Sequence, residues 1–182
     1  MTSDMAAVKA AINATKAGGR TPLYASIYTA LNELEKIRRS DPSVLRRQAI
    51  VVMSDGQDTA SGFKFDDLMA SVRRQGVPIY TIAARPSKTV RAQRESAFGE
   101  RTHEQDYELR TLAAETGARA FFPVAVNELA GVYSEIANEL AHQYSLGYES
   151  TNRTRTGTFR RIALRVVAPG VKWRTRAGYL SK

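Results

Sequence analysis

Ten residues decide the fold class of this chain: Ala49-Ile-Val-Val-Met-Ser-Asp-Gly-Gln-Asp58. Residues 50–53 form an apolar and mostly β-branched run, which is typical of a fully buried strand in a parallel sheet. The run stops abruptly at Ser54-Asp55-Gly56, so the strand delivers the Asp55 carboxylate to the rim of the sheet. Because ligands of open α/β sheets bind beyond the carboxyl ends of the strands, Asp55 is the first candidate functional residue.

Strands and helices alternate on both sides of this run. Apolar residues at helical spacing predict helices over residues 3–16, 21–39, 65–75, 104–116 and 127–142. Apolar runs predict strands over residues 48–53, 77–84 and 118–122. This alternation predicts an α/β fold, in which helices cover a parallel sheet. We expect Thr21 and Asn127 to cap the helices that they begin, and the polar stretch 85–103 to form a long loop.

The end of the chain differs from the rest in charge and in pattern. Residues 1–142 have a net charge of +1, whereas residues 143–182 have a net charge of +8 with Glu149 as their single acid. Alternating apolar and basic residues predict three antiparallel strands there, over 144–149, 159–167 and 171–176. We therefore divide the chain into an α/β domain, residues 1–142, and a basic C-terminal β extension, residues 143–182.

Composition excludes several classes of protein. The 182 residues, 43% of them hydrophobic, suffice for a real core and contain no apolar stretch long enough to span a membrane. Residues 1–7 show no export signal, and the absence of cysteine excludes disulfides and thiolate metal sites. His103 and His142 lie far apart and no Gly-x-Ser-x-Gly occurs, so we expect no enzyme.

A second oxygen donor precedes the next helix, in Gly18-Gly19-Arg20-Thr21-Pro22. A hydroxyl and a carboxylate at the mouth of a parallel sheet suit a hard divalent cation, so Thr21 and Asp55 are candidate metal ligands. Each residue also has a structural interpretation that remains open. Thr21 could act only as a helix cap, and Asp55 could act only in an Asx turn.

Three segments together resemble the von Willebrand factor type A domain. They are Gly18-Gly-Arg-Thr-Pro-Leu-Tyr24, Ile50-Val-Val-Met-Ser-Asp-Gly-Gln-Asp-Thr59 and Gly76-Val-Pro-Ile-Tyr-Thr-Ile82. The extension, with Gln143-Tyr-Ser-Leu-Gly-Tyr148 and Arg176-Ala-Gly-Tyr179, resembles the C-terminal signature of a bacterial subfamily related to that domain. The resemblance implies a Rossmann-like sheet with helices on both faces.

The resemblance also implies a metal-ion-dependent adhesion site. In the family, an Asp-x-Ser-x-Ser motif, a threonine and an aspartate hold Mg²⁺ or Mn²⁺, and an acidic residue of a protein partner completes the coordination. Thr21 matches the threonine and Asp55 the later aspartate, whereas Asp58 is expected to order the loop. By the same resemblance, the full-length protein would work outside the cytoplasm.

The chain departs from the family where the Asp-x-Ser-x-Ser motif should be. Only Thr2-Ser3-Asp4 stands before Thr21, and Asp4 precedes a helix instead of following a strand. By resemblance, the strand at 48–53 loses its central neighbour and exposes an apolar edge. We expect a fragment or a mis-assigned start. In the alternatives, another chain pairs with the bare edge, or the extension folds back to cover it.

The function that we predict is non-enzymatic protein binding through a domain with an incomplete metal-ion-dependent adhesion site. The alternative is a polyanion-binding module that uses the basic extension, although such charged surfaces are more often solvated than bound to nucleic acid. A hydrolase that activates water on the metal is weaker still, because no base accompanies Asp55.

Overall fold

The computed structural model describes residues 2, 4–16, 18–40, 47–84, 104–151 and 157–181. Its helices are α1 (Met5–Ala14), α2 (Leu23–Ser40), α3 (Phe65–Gln75), α4 (104–116) and α5 (Leu129–Ala141). Its strands are β1 (Ile50–Ser54), β2 (Ile79–Ala83), β3 (Ala120–Phe121), β4 (Phe159–Arg161) and β5 (Gly178–Leu180). The loop predicted over 85–103 lies outside the described residues.

The first three strands form the predicted parallel sheet. Their order is β1-β2-β3, with Ile50 opposite Ile79, Ser54 opposite Ala83, and Ile82 opposite Phe121. All five residues of β2 are buried, as expected for the middle strand of a sheet covered on both faces. The predicted α/β fold class is therefore confirmed, as is the small antiparallel element formed by β4 and β5.

Helices cover both faces of the sheet because β2 sends alternate side chains to opposite sides. Ile79 joins a cluster with the apolar stripe of α2 and with α3 and α4, whose buried members include Leu31, Leu68 and Leu112. Tyr80 and Ile82 join the second cluster on the other face, which contains these residues of β3 and α5: Phe121, Val132 and Ile136. This division confirms the prediction of helices on both faces.

Strand β1 lies at an edge of this sheet and is not fully buried. Its apolar run indicated a strand covered on both faces, but Val51 and Met53 are 39% and 54% exposed. The reason is that β1 pairs with β2 alone among the described residues, and α5 packs over β2 and β3 instead of over β1. The exposed apolar edge expected from the resemblance is thus confirmed.

The ends of the helices confirm some predictions and correct another. Gly76 and Gly117 follow α3 and α4 with positive φ angles, as their positions in the sequence indicate. Asn127 does not cap α5, because it lies inside a short 3₁₀ helix, Val126–Glu128, that leads into α5 at Leu129. Helix α1 forms as predicted and is capped by Asp4, but none of its residues is buried.

The C-terminal extension forms fewer strands than predicted. Residues 144–149 and 171–176 are irregular, and the strand predicted over 159–167 ends at Arg161. Residue Phe159 instead pairs with Leu180, in a strand β5 that was not predicted. Alternation within a short segment predicts which side chains share a face. It does not predict which strand the backbone pairs with, because pairing also depends on the partner strand.

Among the described residues, the extension packs against α3, α4 and α5, whereas β1 pairs with β2 alone. The Ala177 N–H donates to the Glu115 carbonyl near the end of α4, at 3.1 Å. The Arg174 guanidinium forms an ion pair with Glu139 of α5, at 2.5 Å. The alternative in which the extension covers the bare edge of β1 is therefore wrong for the described residues.

Candidate functional site at the rim of the sheet

Asp55 stands at the rim of the sheet, directly after β1, with an exposed side chain. One of its carboxylate oxygens, Oδ1, accepts a hydrogen bond from the Gln57 N–H at 3.0 Å. This is the geometry of an Asx turn, in which a short polar side chain bonds the backbone two residues ahead. The turn interpretation of Asp55 is therefore confirmed, and its role as a metal ligand stays a prediction.

Thr21 approaches the same loop through its backbone. Its N–H donates to Thr59 Oγ1 at 2.8 Å, and its carbonyl accepts from the Thr59 N–H, also at 2.8 Å. These two bonds tie the segment before α2 to the loop that begins at Asp55. The structure thus brings both predicted ligands to one rim, on two segments that are hydrogen-bonded to each other.

Two loop residues, and not Thr21, cap the start of α2. The helix begins at Leu23, and Asp58 Oδ1 accepts from the Tyr24 N–H at 3.0 Å. Ser61 Oγ accepts from the Ala25 N–H at 2.9 Å. The prediction that Thr21 caps this helix is therefore wrong, because side chains 34 and 36 residues away satisfy those donors.

Asp58 is the acceptor around which the loop is ordered, as the resemblance implied. Besides the Tyr24 N–H, its carboxylate accepts from the Ser61 N–H at 3.0 Å and from the Ser61 hydroxyl. Burial raises the pKa of Asp58, but hydrogen bonds from Ser61, Tyr24 and Leu23 outweigh it and hold the pKa below its usual value. Asp58 is therefore occupied with the protein's own backbone and is a poor candidate for a metal ligand.

A second carboxylate lies beneath the rim and was missed by the sequence analysis. Tyr24 Oη donates to Glu108 Oε2 of α4 at 2.8 Å. Burial raises the pKa of Glu108; the bond from Tyr24 opposes this rise, and the charges of Glu104 and Asp58 add to it. Tyr24 and Glu108 also line a small cavity of about 10 Å³, which has room for one water.

We expect Glu108→Gln to raise the melting temperature at pH 7 by roughly 1–2 °C. A carboxyl whose pKa is raised by folding stabilises the fold below its unfolded pKa, and that contribution is lost as the pH rises through the folded pKa. Glutamine keeps an acceptor for Tyr24 but carries no charge, so its advantage should vanish near pH 4. A thermal unfolding series from pH 4 to pH 8 measures this, with Glu149→Gln, which changes an exposed side chain of the extension, as the control. An advantage that is the same at every pH would contradict the assignment.

Two of the predicted oxygen donors lie at the rim among the residues that the structure describes. Asp55 supplies one exposed carboxylate and Thr21 one hydroxyl, while Asp58 is bound to the backbone. No group of three or more His, Cys, Asp or Glu side chains with metal-binding geometry occurs among the residues that the structure describes. Mg²⁺ requires near-octahedral oxygen coordination, so two protein donors leave most positions to water.

The sequence did not reveal that Asp58 and Ser61 cap α2. Asp58 and Ser61 have the spacing of a local Asx or Ser turn, and that spacing identifies the loop but not the helix that it caps. Glu108 gave no signal, because it lies on a helical stripe among other charged residues.

Of the two histidines, His103 lies outside the described residues and His142 Nδ1 lies 2.7 Å from the Asn138 carbonyl.

The fold and the rim define an α/β domain that offers polar loops at the carboxyl end of a parallel sheet. A family model for the von Willebrand factor type A domain matches residues 1–135, which is most of the chain. The chain belongs to this family, and the resemblance seen in its motifs is confirmed. Domains of this family are in general protein-interaction or adhesion modules and not enzymes.

Other comparisons add little. No curated protein matches the chain. Among solved structures, an uncharacterized membrane spanning protein from Vibrio fischeri is similar, with 17% identity, 76% of this chain and 67% of that chain covered, and a TM-score of 0.38. This similarity is too low to establish a shared fold or function. Within the described residues, no helix is both long and apolar enough to cross a membrane.

Proposed function

We propose that this chain is a non-enzymatic protein-binding domain whose contact surface is the rim at the carboxyl end of β1. The observation that carries the proposal is the exposed Asp55 carboxylate, held by an Asx turn at the site where α/β sheets bind their ligands. Membership of a family of interaction modules supports it. The full-length protein would work outside the cytoplasm, as the family resemblance implies.

The rim is built to present polar groups to a partner. Asp55, Gln57 and Thr59 are all exposed, on a loop that Asp58 and Ser61 anchor from below. A preorganised loop loses little conformational entropy on binding, and this favours recognition of another protein.

We further propose that the metal-ion-dependent adhesion site is incomplete in this chain. The proposal rests on the two available donors, Thr21 and Asp55, and on the engagement of Asp58 with the start of α2. An acidic partner residue would add one more oxygen, and the remaining coordination positions would be left to water. Mg²⁺ or Mn²⁺ should therefore contribute little to binding by this chain.

A comparison of two variants tests the protein-binding proposal. The purified chain, an Asp55→Lys rim variant and a control with Arg161, Arg165 and Lys172 changed to Gln would each be used for cross-linking capture from an extract. We expect at least one partner to be lost with the rim variant and kept with the control. Partners that are lost only with the control would overturn the rim proposal, as would partners indifferent to both.

A second candidate function, polyanion binding, is supported by the charges of the extension. Arg161, Arg165 and Lys172 are exposed, and none of them takes part in the ion pairs found among the described residues. Unpaired cations on one segment attract a polyanion by release of its counterions, and such binding weakens steeply with salt.

Heparin chromatography distinguishes the two functions. If the extension is the working surface, retention should fall steeply with salt, changing the three cations to Gln should reduce the salt dependence, and Asp55→Ala should have no effect. If the rim is the working surface, retention should be weak at physiological salt in all three proteins.

A further inference from the structure

The C-terminal extension contains a hairpin that continues outward from strands β4 and β5. Next to these paired strands, the Ile162 N–H donates to the Ala177 carbonyl at 3.0 Å. Between these two residues the chain reverses at Pro169-Gly170, and Gly170 has a φ of +75°, as the third residue of a type II turn requires. Residues 162–177 therefore form one hairpin that is closed by this turn.

The base of the hairpin is anchored and its tip is not. At the base, Arg174 forms an ion pair with Glu139 of α5, and the Ala177 N–H donates to the Glu115 carbonyl of α4. In contrast, every residue of the hairpin tip, which we define as residues 165–173, is exposed. The fold thus holds the hairpin at its base and presents the tip to the surroundings.

Apolar side chains make up most of the hairpin tip. Val167 is 88% exposed, Val171 is 52% exposed and Trp173 is 44% exposed. Val166 and Pro169 are exposed beside them. A contiguous apolar surface of this kind is unusual on a protein that is covered by water alone, and it marks a site of interaction.

Cations accompany this apolar surface on both arms of the hairpin. Arg165 begins the tip and Lys172 lies near its end, and neither takes part in the ion pairs found among the described residues. The extension as a whole has a net charge of +8, with Glu149 as its single acid. The tip therefore complements a surface that is anionic outside and apolar beneath. The interface of a bilayer with anionic lipids has this structure.

The apolar residues favour a lipid surface over a water-soluble polyanion. Heparin or a nucleic acid would pair with Arg165 and Lys172 but would leave Val167 and Val171 in water. A single-stranded nucleic acid also requires aromatic rings for base stacking, and Trp173 is the single aromatic residue of the tip. Tryptophan is enriched at membrane interfaces, because its indole ring is apolar and also carries an N–H donor.

We propose that the hairpin tip binds the surface of a bilayer that contains anionic lipids. Val167, Val171 and Trp173 enter the boundary between headgroups and acyl chains, while Arg165 and Lys172 contact the lipid phosphates. This inference rests on the second candidate function, in which the basic extension is the working surface.

The hairpin is anchored at the end of the domain opposite the rim. Glu115 and Glu139 lie in the last turns of α4 and α5. Helices that cover a parallel sheet run antiparallel to its strands, so these turns lie at the amino edge of the sheet. Asp55 lies at the carboxyl edge. Binding of the tip to a lipid surface would therefore leave the rim free for a protein partner.

Co-sedimentation of the purified chain with vesicles tests the proposal. Vesicles of phosphatidylcholine with about one third phosphatidylglycerol are compared with vesicles of phosphatidylcholine alone. We expect binding to the anionic vesicles to be about tenfold tighter or more, because two cations face the charged surface. The emission of Trp173, the single tryptophan, should shift to the blue on binding. A chain that binds neither kind of vesicle, or both equally, would overturn the proposal.

Serine substitutions separate insertion of the tip from attraction by charge. Val167→Ser together with Val171→Ser should weaken binding to anionic vesicles by about tenfold, because the variant loses apolar surface but keeps every cation. Val124→Ser together with Val126→Ser is the matched control, since these valines are 47% and 82% exposed in the loop before α5. Circular dichroism would establish that both variants are folded. If the tip variant bound as tightly as the control, the lipid interface would be overturned.

Heparin chromatography distinguishes failure of this inference from failure of the polyanion function. The tip variant should be retained on heparin like the wild type, because its cations remain. If the chain were retained on heparin but did not bind anionic vesicles, the lipid proposal would be overturned and polyanion binding would stand. If the chain bound neither, both would be overturned. Asp55→Ala should bind the vesicles normally, and a loss of binding in that variant would overturn the assignment to the tip.

Discussion

Gly117→Ala is expected to lower the free energy of unfolding by about 3 kcal/mol and to release the C-terminal extension. Gly117 ends α4 with a φ of +78°, a conformation that costs an L-residue about 1–2 kcal/mol. A methyl group there would also lie 2.6 Å from the Arg176 nitrogen and from the Thr175 carbonyl carbon, and such overpacking adds about 1–3 kcal/mol. Denaturant unfolding measures the loss. The emission of Trp173, the single tryptophan, should shift to the red as the extension detaches.

Gly170→Ala separates the two contributions. Gly170 has a nearly equal φ of +75°, but a methyl group there would meet nothing within 4 Å. We expect this variant to lose about 1 kcal/mol, through backbone strain alone, with no change in Trp173 emission. If both variants were equally destabilised, the close packing of the extension against α4 would be contradicted.

Asp58→Ala is expected to lower the free energy of unfolding by about 2 kcal/mol, because it removes a charged acceptor from several partners at once. The Tyr24 and Ser61 N–H groups would lose their acceptor, and α2 would lose its cap. Asp55→Ala should change stability by less than about 0.5 kcal/mol, since that side chain is exposed and accepts one local bond. Denaturant unfolding at pH 7 compares the two.

The pH dependence of Asp58→Ala follows from the lowered pKa of Asp58. A carboxyl whose pKa falls on folding stabilises the protein above its unfolded pKa, and the contribution is lost as the pH falls through the folded pKa. The difference between wild type and variant should therefore be constant near neutrality and shrink below about pH 4. An equal loss for Asp55→Ala and Asp58→Ala would show that the loop is not organised around Asp58.

Local sequence signals predicted most of the fold. The apolar runs of β1 and β2 and the helical stripe of α2 each lie within one element, so periodicity and turn residues suffice to find them. The predicted helices 65–75 and 104–116 end where the structure ends them, because Gly76 and Gly117 directly follow and a positive φ is a property of one residue. Asp55 was placed at the rim because it directly follows its strand.

What depends on distant partners could not be predicted from the sequence. The acceptors for the first turn of α2 come from Asp58 and Ser61, more than 30 residues away, and so Thr21 was wrongly expected to cap that helix. The pairing of β4 with β5, like the docking of the extension on Glu115, also joins distant segments. The exposure of Val51 and Met53 depends on which strands and helices lie beside β1.

Thr21 and Asp55 are predicted metal ligands, because they match two ligands of the site that the resemblance implies. Asp58 is a poor candidate for a third ligand, because its carboxylate accepts from the Tyr24 N–H. Because Asp55→Ala should hardly change the free energy of unfolding, a loss of cation binding in this variant would not arise from unfolding. A cation titration therefore distinguishes a rim that binds a divalent cation through Asp55 from a rim that does not.

Calorimetric titration of Mn²⁺ and Mg²⁺ into the purified chain, with Asp55→Ala in parallel, tests the account most directly. A domain whose adhesion site is incomplete should show no saturable binding tighter than about millimolar, and the variant should behave in the same way. Micromolar binding by the chain that is abolished in Asp55→Ala would contradict the incomplete site.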